Sequence, residues 1–202
     1  MPLDGTLPGS ALAELPERSF SVYLHVPFCR SRCGYCDFNT YTASELWGMS
    51  TGDYLTAALR EIDLAARVLG DGTPEADTVF VGGGTPTMLP AGELSRLLDA
   101  VRERFGLARD AEITTEANPE TVTPEYLGRL RESGFTRISL GMQSAVPHVL
   151  EVLERAHTPG RGLEAAHWAR QAGFEHVSLD LIFGTPGEST TDREESLEAV
   201  AA

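Results

Sequence analysis

The chain has 202 residues, 42% of them hydrophobic, and a formal charge of -14 from 30 acidic against 16 basic side chains. That composition supports one sizeable core and excludes a disordered chain. The acidic surplus excludes nucleic acid as a partner, because such binding rests on clustered Lys and Arg that neutralise phosphates.

Residues 1–19, rich in Pro, Gly and Ala, read as a flexible lead-in to a folded core over residues 20–202. The first ten residues carry neither a basic n-region nor a sustained apolar h-region, and no apolar run is long enough to cross a bilayer. A cytoplasmic protein is expected, with peripheral membrane association left open.

From Ser21 onward, short β-branched runs alternate with segments of helical period. Residues 21–26, 77–81, 111–115, 137–140 and 176–182 read as strands. Residues 53–69, 93–105, 124–133 and 162–172 carry apolar side chains at three- and four-residue spacing and read as helices. Thr123-Pro124 offers an N-cap and a first-turn proline, while Gly134 and Gly173 stand where helices end in a left-handed residue. These glycines, 39 residues apart, open two similar stretches, Gly134-Phe135-Thr136-Arg137-Ile138-Ser139-Leu140 and Gly173-Phe174-Glu175-His176-Val177-Ser178-Leu179. The interval is about one helix-plus-strand unit, so the pattern predicts parallel strands joined by right-handed crossovers in a barrel of like units.

A last helix is expected from the capping pattern Thr191-Asp192-Arg193-Glu194, and no sixth strand follows it. The fifth strand reads as buried on both faces yet lacks a partner on one edge, an aggregation liability. The expectation is therefore the N-terminal portion of a longer barrel, stopping after about five βα units.

Cys29, Cys33 and Cys36, the three cysteines of the chain, follow the first strand directly. An odd number so closely spaced favours a metal site in a reducing compartment over disulfides. Three thiolates are one too few for a four-iron cluster, whose irons each take a cysteine sulfur, so one iron would stay open for another ligand. The bland alternative is a structural zinc held by the three cysteines and His25. A strand position suits a compact zinc knuckle poorly, and the loop lies at the carboxyl end of its strand, where barrel enzymes place their sites.

Gly82-Gly83-Gly84-Thr85-Pro86 follows the second strand, where bare backbone lets a ligand approach; it has no phosphate-loop lysine and does not fit GxGxxG. Glu116, Gln143 and Asp180 lie at the ends of the next three strands, and their side chains would converge on one mouth. A carboxylate there can pair with an ammonium group, an amide can bond a carboxylate or ribose, and Arg155 can clamp a carboxylate bidentately. His148, His157, His167 and His176 show no ligand spacing and read as structural.

The cysteine spacing after a strand resembles the pattern of the radical S-adenosylmethionine (SAM) superfamily. The wider set Tyr23-Leu24-His25-Val26-Pro27-Phe28-Cys29, Gly82-Gly83-Gly84-Thr85-Pro86, Glu116-Ala117-Asn118-Pro119, Arg137-Ile138-Ser139-Leu140-Gly141-Met142-Gln143-Ser144 and Asp180-Leu181-Ile182-Phe183-Gly184-Thr185-Pro186 is similar to its oxygen-independent coproporphyrinogen III oxidase group. Where the decarboxylating oxidases of that group carry a further cysteine two positions after the third, this chain has Phe38, and Cys36-Asp37-Phe38-Asn39 resembles the heme chaperone branch.

The resemblance implies an α/β fold, part of a TIM-type (β/α)6 barrel. It implies a [4Fe-4S] cluster on Cys29, Cys33 and Cys36, and S-adenosylmethionine held by Tyr23, Tyr35, Gly82, Gly83, Gly84, Thr85, Glu116, Gln143, Arg155 and Asp180. Heme or porphyrin would be the cargo, with a heme acceptor protein and an electron donor as partners. If such a chain is catalytic, the resemblance implies radical oxidative decarboxylation of porphyrinogen propionates, a coproporphyrinogen dehydrogenase chemistry.

Overall fold

The computed structural model describes residues 5–45, 48, 50–155 and 158–201, so His157 lies outside the described residues. A short helix α1 (Gly9–Glu14) and a 3-10 turn (Leu15–Glu17) occupy the segment read as a lead-in, and neither buries a residue. The core then runs β1 (Phe20–Val26), α2 (Thr51–Leu69), β2 (Ala76–Gly83), α3 (Ala91–Phe105), β3 (Leu107–Ala117) and α4 (Pro124–Glu132). It continues with β4 (Arg137–Gln143), α5 (Pro147–Val152), α6 (Arg161–Gln171), β5 (His176–Leu181) and α7 (Thr190–Ala201).

The five strands form one sheet in chain order, β1-β2-β3-β4-β5, every neighbouring pair parallel. Strand alternation sorts the side chains by face. Val26, Val79, Val81, Ile113, Ile138 and Leu140 point to the helices and are buried with Leu94, Leu97, Leu98 and Val101 of α3, Leu127 and Leu130 of α4, and Ala165 and Ala169 of α6. Each fully buried Leu or Ile contributes about 1.5–3 kcal/mol by leaving water, so this layer holds the sheet's shape. The opposite face is polar: His25, Gly82, Glu116 and Ser139 follow one another across β1 to β4, and Gly141 pairs with Asp180 of β5.

Helix ends follow local chemistry. Thr123 accepts the Tyr126 amide at 3.2 Å to cap α4, and Gly134 and Gly173 hold φ values of 107° and 91° just past α4 and α6. The α7 cap differs from the expected one: Ser189 and Asp192 exchange side-chain and backbone bonds at 3.2 and 2.8 Å, a box that begins two residues before Thr191. The short helix α5 was not legible, since six residues give too little period. Strand β5 also departs from expectation: none of its residues is buried, because only β4 pairs with it.

Candidate functional site

The carboxyl ends of the five strands surround a cavity of about 740 Å³. Its wall includes Cys29, Cys33, Cys36, Tyr35, Gly83, Gly84, Thr85, Glu116, Gln143, Arg155 and Asp180. Of the residues expected at the site, Tyr23 and Gly82 alone are outside that wall. Tyr23 instead stacks on Phe80 with ring centroids 6.1 Å apart and hydrogen-bonds His25, while Gly82 lies beneath, where a Cβ would come within 2.6 Å of the Phe80 ring.

The cysteine loop leaves β1 at Pro27 and is closed at its base by the Cys29 amide donating to the Tyr41 carbonyl at 3.0 Å and the Tyr41 amide to the Pro27 carbonyl at 2.7 Å. All three cysteines are free thiols, each partly exposed. Burial raises the Cys29 thiol above its ordinary range, against hydrogen bonds from Thr85 and Thr40 that lower it. Burial likewise raises the Tyr35 phenol, with Arg155 opposing and Cys33 reinforcing the shift. Three thiols with no fourth protein ligand beside them among the described residues are a donor set that suits an iron–sulfur cluster with one open iron.

His25 is engaged on both ring nitrogens: Nε2 donates to the Asn39 carbonyl at 2.9 Å, which leaves Nδ1 to accept from the Tyr23 hydroxyl at 2.9 Å. That ties the loop's return limb to β1 and takes His25 away from metal ligation. Among the described residues, no three His, Cys, Asp or Glu side chains gather as they would around one ion. Sulfurs sharing a tetrahedral zinc sit roughly 4 Å apart, whereas cluster cysteines ligate different irons and stand wider.

The glycine loop fits against this one with no room for side chains. A Cβ on Gly84 would lie 2.6 Å from the Phe28 carbonyl oxygen and 2.9 Å from Cys29 Sγ. Gly83, at φ 117°, would meet the His25 ring at 2.7 Å. Its amide donates to Glu116 Oε2 at 2.9 Å, so the carboxylate reaches from β3 to the end of β2. Burial raises the Glu116 carboxyl above its ordinary range, partly offset by that amide, and Asp180 nearby adds to the rise.

Gln143 reaches the cavity through a break in β4. The pairing with β5 skips a residue between Gly141 and Gln143, and Gln143 itself sits at φ 71°, a costly conformation for a residue with a side chain. Among the described residues, Glu154 is the other such residue, at φ 52°, in the turn after α5. That turn offers the Leu153 carbonyl to the Gly34 amide at 3.1 Å and sends Arg155 across the cavity, where Nη1 donates to Cys33 Sγ at 3.3 Å and Nη2 to the Gly141 carbonyl at 3.0 Å. The expected carboxylate clamp thus rests on a thiol. Asp180 accepts from the Ser139 hydroxyl at 2.8 Å.

Sequence reasoning passed over Ser139, Glu120 and Thr158 in the same wall. Ser139 was within reach, since it shares strand parity with Gly141. Glu120 accepts from the Thr158 amide at 2.7 Å, joining two loops far apart in sequence, and no local pattern announces such a bond.

A sequentially wound parallel sheet that gathers three thiols, two acids, an amide and a guanidinium at its carboxyl mouth defines a cofactor-binding part of a (β/α) barrel. The chain belongs to the radical SAM superfamily, whose model matches residues 23–200, and membership implies an iron–sulfur cluster and S-adenosylmethionine. It is 54% identical over 193 residues to the heme chaperone HemW of Mycobacterium tuberculosis (strain CDC 1551 / Oshkosh), covering 96% of this chain and 48% of that protein. It is 32% identical over 190 residues to the oxygen-independent coproporphyrinogen III oxidase of Synechocystis, covering 94% of this chain and 40% of that one. Among solved structures, the radical SAM enzyme coproporphyrinogen III oxidase (HemN) from Escherichia coli superposes with a TM-score of 0.84 at 33% identity, over 95% of this chain and 43% of that chain. The chain thus spans about half the length of the curated relatives it matches. No helix among the described residues is long and apolar enough to cross a membrane.

Proposed function

We propose that this chain is the cluster-bearing part of a heme chaperone of the HemW kind, which holds a [4Fe-4S] cluster on Cys29, Cys33 and Cys36 and S-adenosylmethionine beside it. The observation that carries the reading is convergence: the three free thiols share one cavity wall with Gly83, Gly84, Glu116, Gln143, Arg155 and Asp180. When bound, such a cluster with an open iron supplies one electron to a sulfonium ligand.

The chain's own residues do the holding. Glu116, fixed by the Gly83 amide in the cavity wall, suits a ligand ammonium group; protonated, it would be the weaker partner, so ammonium binding and ionisation of Glu116 reinforce each other. Asp180, kept in place by Ser139, suits ribose hydroxyls, and the Gln143 amide suits a carboxylate or ribose. Thr85 closes the floor against Cys29, with its hydroxyl 3.9 Å from Sγ.

The chaperone reading is favoured over the oxidase by Phe38, which lines the cavity and is 64% exposed at the position where the oxidase group has a further cysteine. Heme or porphyrin is then cargo for an acceptor protein. Anaerobic reconstitution with iron and sulfide should give a brown protein whose iron and sulfide are lost in Cys33→Ser; a colourless wild type overturns the cluster assignment. On the full-length parent, heme titration alongside a coproporphyrinogen decarboxylation assay divides the two activities: heme uptake without a vinyl product is expected, and turnover to vinyl groups overturns the chaperone.

A further inference from the structure

We propose that Arg32 and Glu45 form a buckle that keeps the cysteine loop gathered whether or not anything is bound, making them positioning residues for the three thiols. The proposal goes beyond the cofactor assignment above and rests on it only for what the thiols hold.

Residues 29–39 contain neither helix nor strand, so few backbone bonds fix their course. The base is closed by the Phe28–Tyr41 bridge, and one bond inside the loop, from the Cys36 amide to the Cys33 carbonyl at 3.1 Å, makes a local turn. Across the loop the work falls to side chains. Arg32, next to Cys33 on the outgoing limb, points its Nη2 at the return limb, donating to the Thr40 carbonyl at 2.9 Å and to Glu45 Oε1 and Oε2 at 3.0 and 3.2 Å.

Glu45 is itself anchored, since its Oε2 accepts from the Thr42 amide at 2.7 Å and the Thr42 hydroxyl at 2.9 Å. Position 32 is thereby bound to positions 40, 42 and 45 at one point. Neither Arg32 nor Glu45 bonds a cysteine, so their influence on the thiols runs through the backbone.

One terminal nitrogen of Arg32 serves a carbonyl and a carboxylate together, so the position of the guanidinium is set by both acceptors on the return limb. The pair is half exposed, with side-chain exposures of 50% and 42%. Screening by salt should weaken it.

Amide hydrogen exchange on the apoprotein decides the matter independently of any metal. Arg32→Ala should speed exchange of the bonded amides of Cys29, Gly34, Cys36 and Tyr41 about fivefold while the amides of β1 to β4 stay as they are, and Arg32→Lys should recover part of the protection. Arg32→Ala/Glu45→Ala should exceed either single change but fall short of their sum, because the two share the Arg32–Glu45 tie while Arg32–Thr40 and Thr42–Glu45 are lost separately. In anaerobically reconstituted protein, Arg32→Ala should surrender iron to a chelator about fivefold faster at low salt, and the gap should narrow at high salt as the wild-type pair is screened. Unchanged loop exchange in apo Arg32→Ala overturns the buckle, and so does exchange that rises equally through the sheet. A wild type that retains no iron overturns the cluster assignment instead, and leaves the exchange result to judge the buckle.

Discussion

The loops after β1 and β2 face the same cavity and are built in opposite ways. Along the glycine loop, Val81, Gly82, Gly83, Thr85, Pro86, Thr87 and Leu89 are buried, and its amides are spent on β1 and Glu116. Along the cysteine loop, Arg30, Ser31, Arg32, Gly34, Tyr35, Asp37, Phe38 and Asn39 are exposed, and its course depends on bonds reaching in from His25, Glu45 and Leu153. A buried loop is shaped by packing before any ligand arrives, whereas an exposed one keeps its shape only through particular polar ties. The rigid loop thus lies where backbones approach most closely, and the adjustable one carries the three thiols of the proposed cluster.

Gly84→Ala breaks the rigid side of that contrast. Its new methyl would collide with the Phe28 carbonyl and Cys29 Sγ, and backbone cannot yield as a side chain would. Apoprotein stability should fall by about 3 kcal/mol in urea unfolding. An unchanged midpoint would show that the glycine loop is as compliant as its neighbour.

Glu154→Gly sharpens the contrast from the other side. Glycine adopts φ 52° without steric penalty, so the variant should gain about 1 kcal/mol in the same measurement while Gly34 keeps its Leu153 partner. Lost stability would mean that the Glu154 side chain, close to Gly34, holds the turn by contact.

Glu116→Gln tests the electrostatics between the loops. A carboxyl raised by burial binds its proton more tightly in the fold than in the unfolded chain, so its contribution is greatest at low pH and declines as pH climbs above 4.5. The variant should therefore lose this part of the pH dependence and equal or exceed wild-type apoprotein stability near neutrality, while weakening S-adenosylmethionine binding. A parallel pH profile for the two proteins would deny Glu116 its burial cost.

The smallest change in stability belongs to Cys33→Ser, within about 0.5 kcal/mol of wild type in the apoprotein, because its side chain is partly exposed and a serine hydroxyl can accept from Arg155 in place of the thiol. A drop as large as that of Gly84→Ala would place the cysteine loop inside the cooperative core.

Strand periodicity and turn chemistry made the wound sheet visible in the sequence, and the cysteine spacing and strand-end polar residues made visible much of what lines the cavity. Each strand carries its own two-residue alternation, and the polar side chain at its carboxyl end can be read without knowing its neighbours. What stayed hidden depends on contacts between distant segments. Arg155 was read as a free clamp and lies on Cys33; Tyr23 was read at the cavity and lies on Phe80 and His25. The Ser189–Asp192 cap was missed because Thr191 and Glu194 offer an equivalent pattern two residues on, and local sequence cannot rank two caps.

Spatial order and chain order coincide across the sheet, and the linking helices α2, α3, α4 and α6 pack on its apolar face, away from the polar face and its mouth. The linking turn from Gly70 to Glu75 joins α2 to β2 at the amino-terminal rim. Extra residues inserted there lengthen an outer connection and leave every donor at its strand terminus. Such an architecture can acquire new external attachments, segment by segment, while its interior chemistry stays constant.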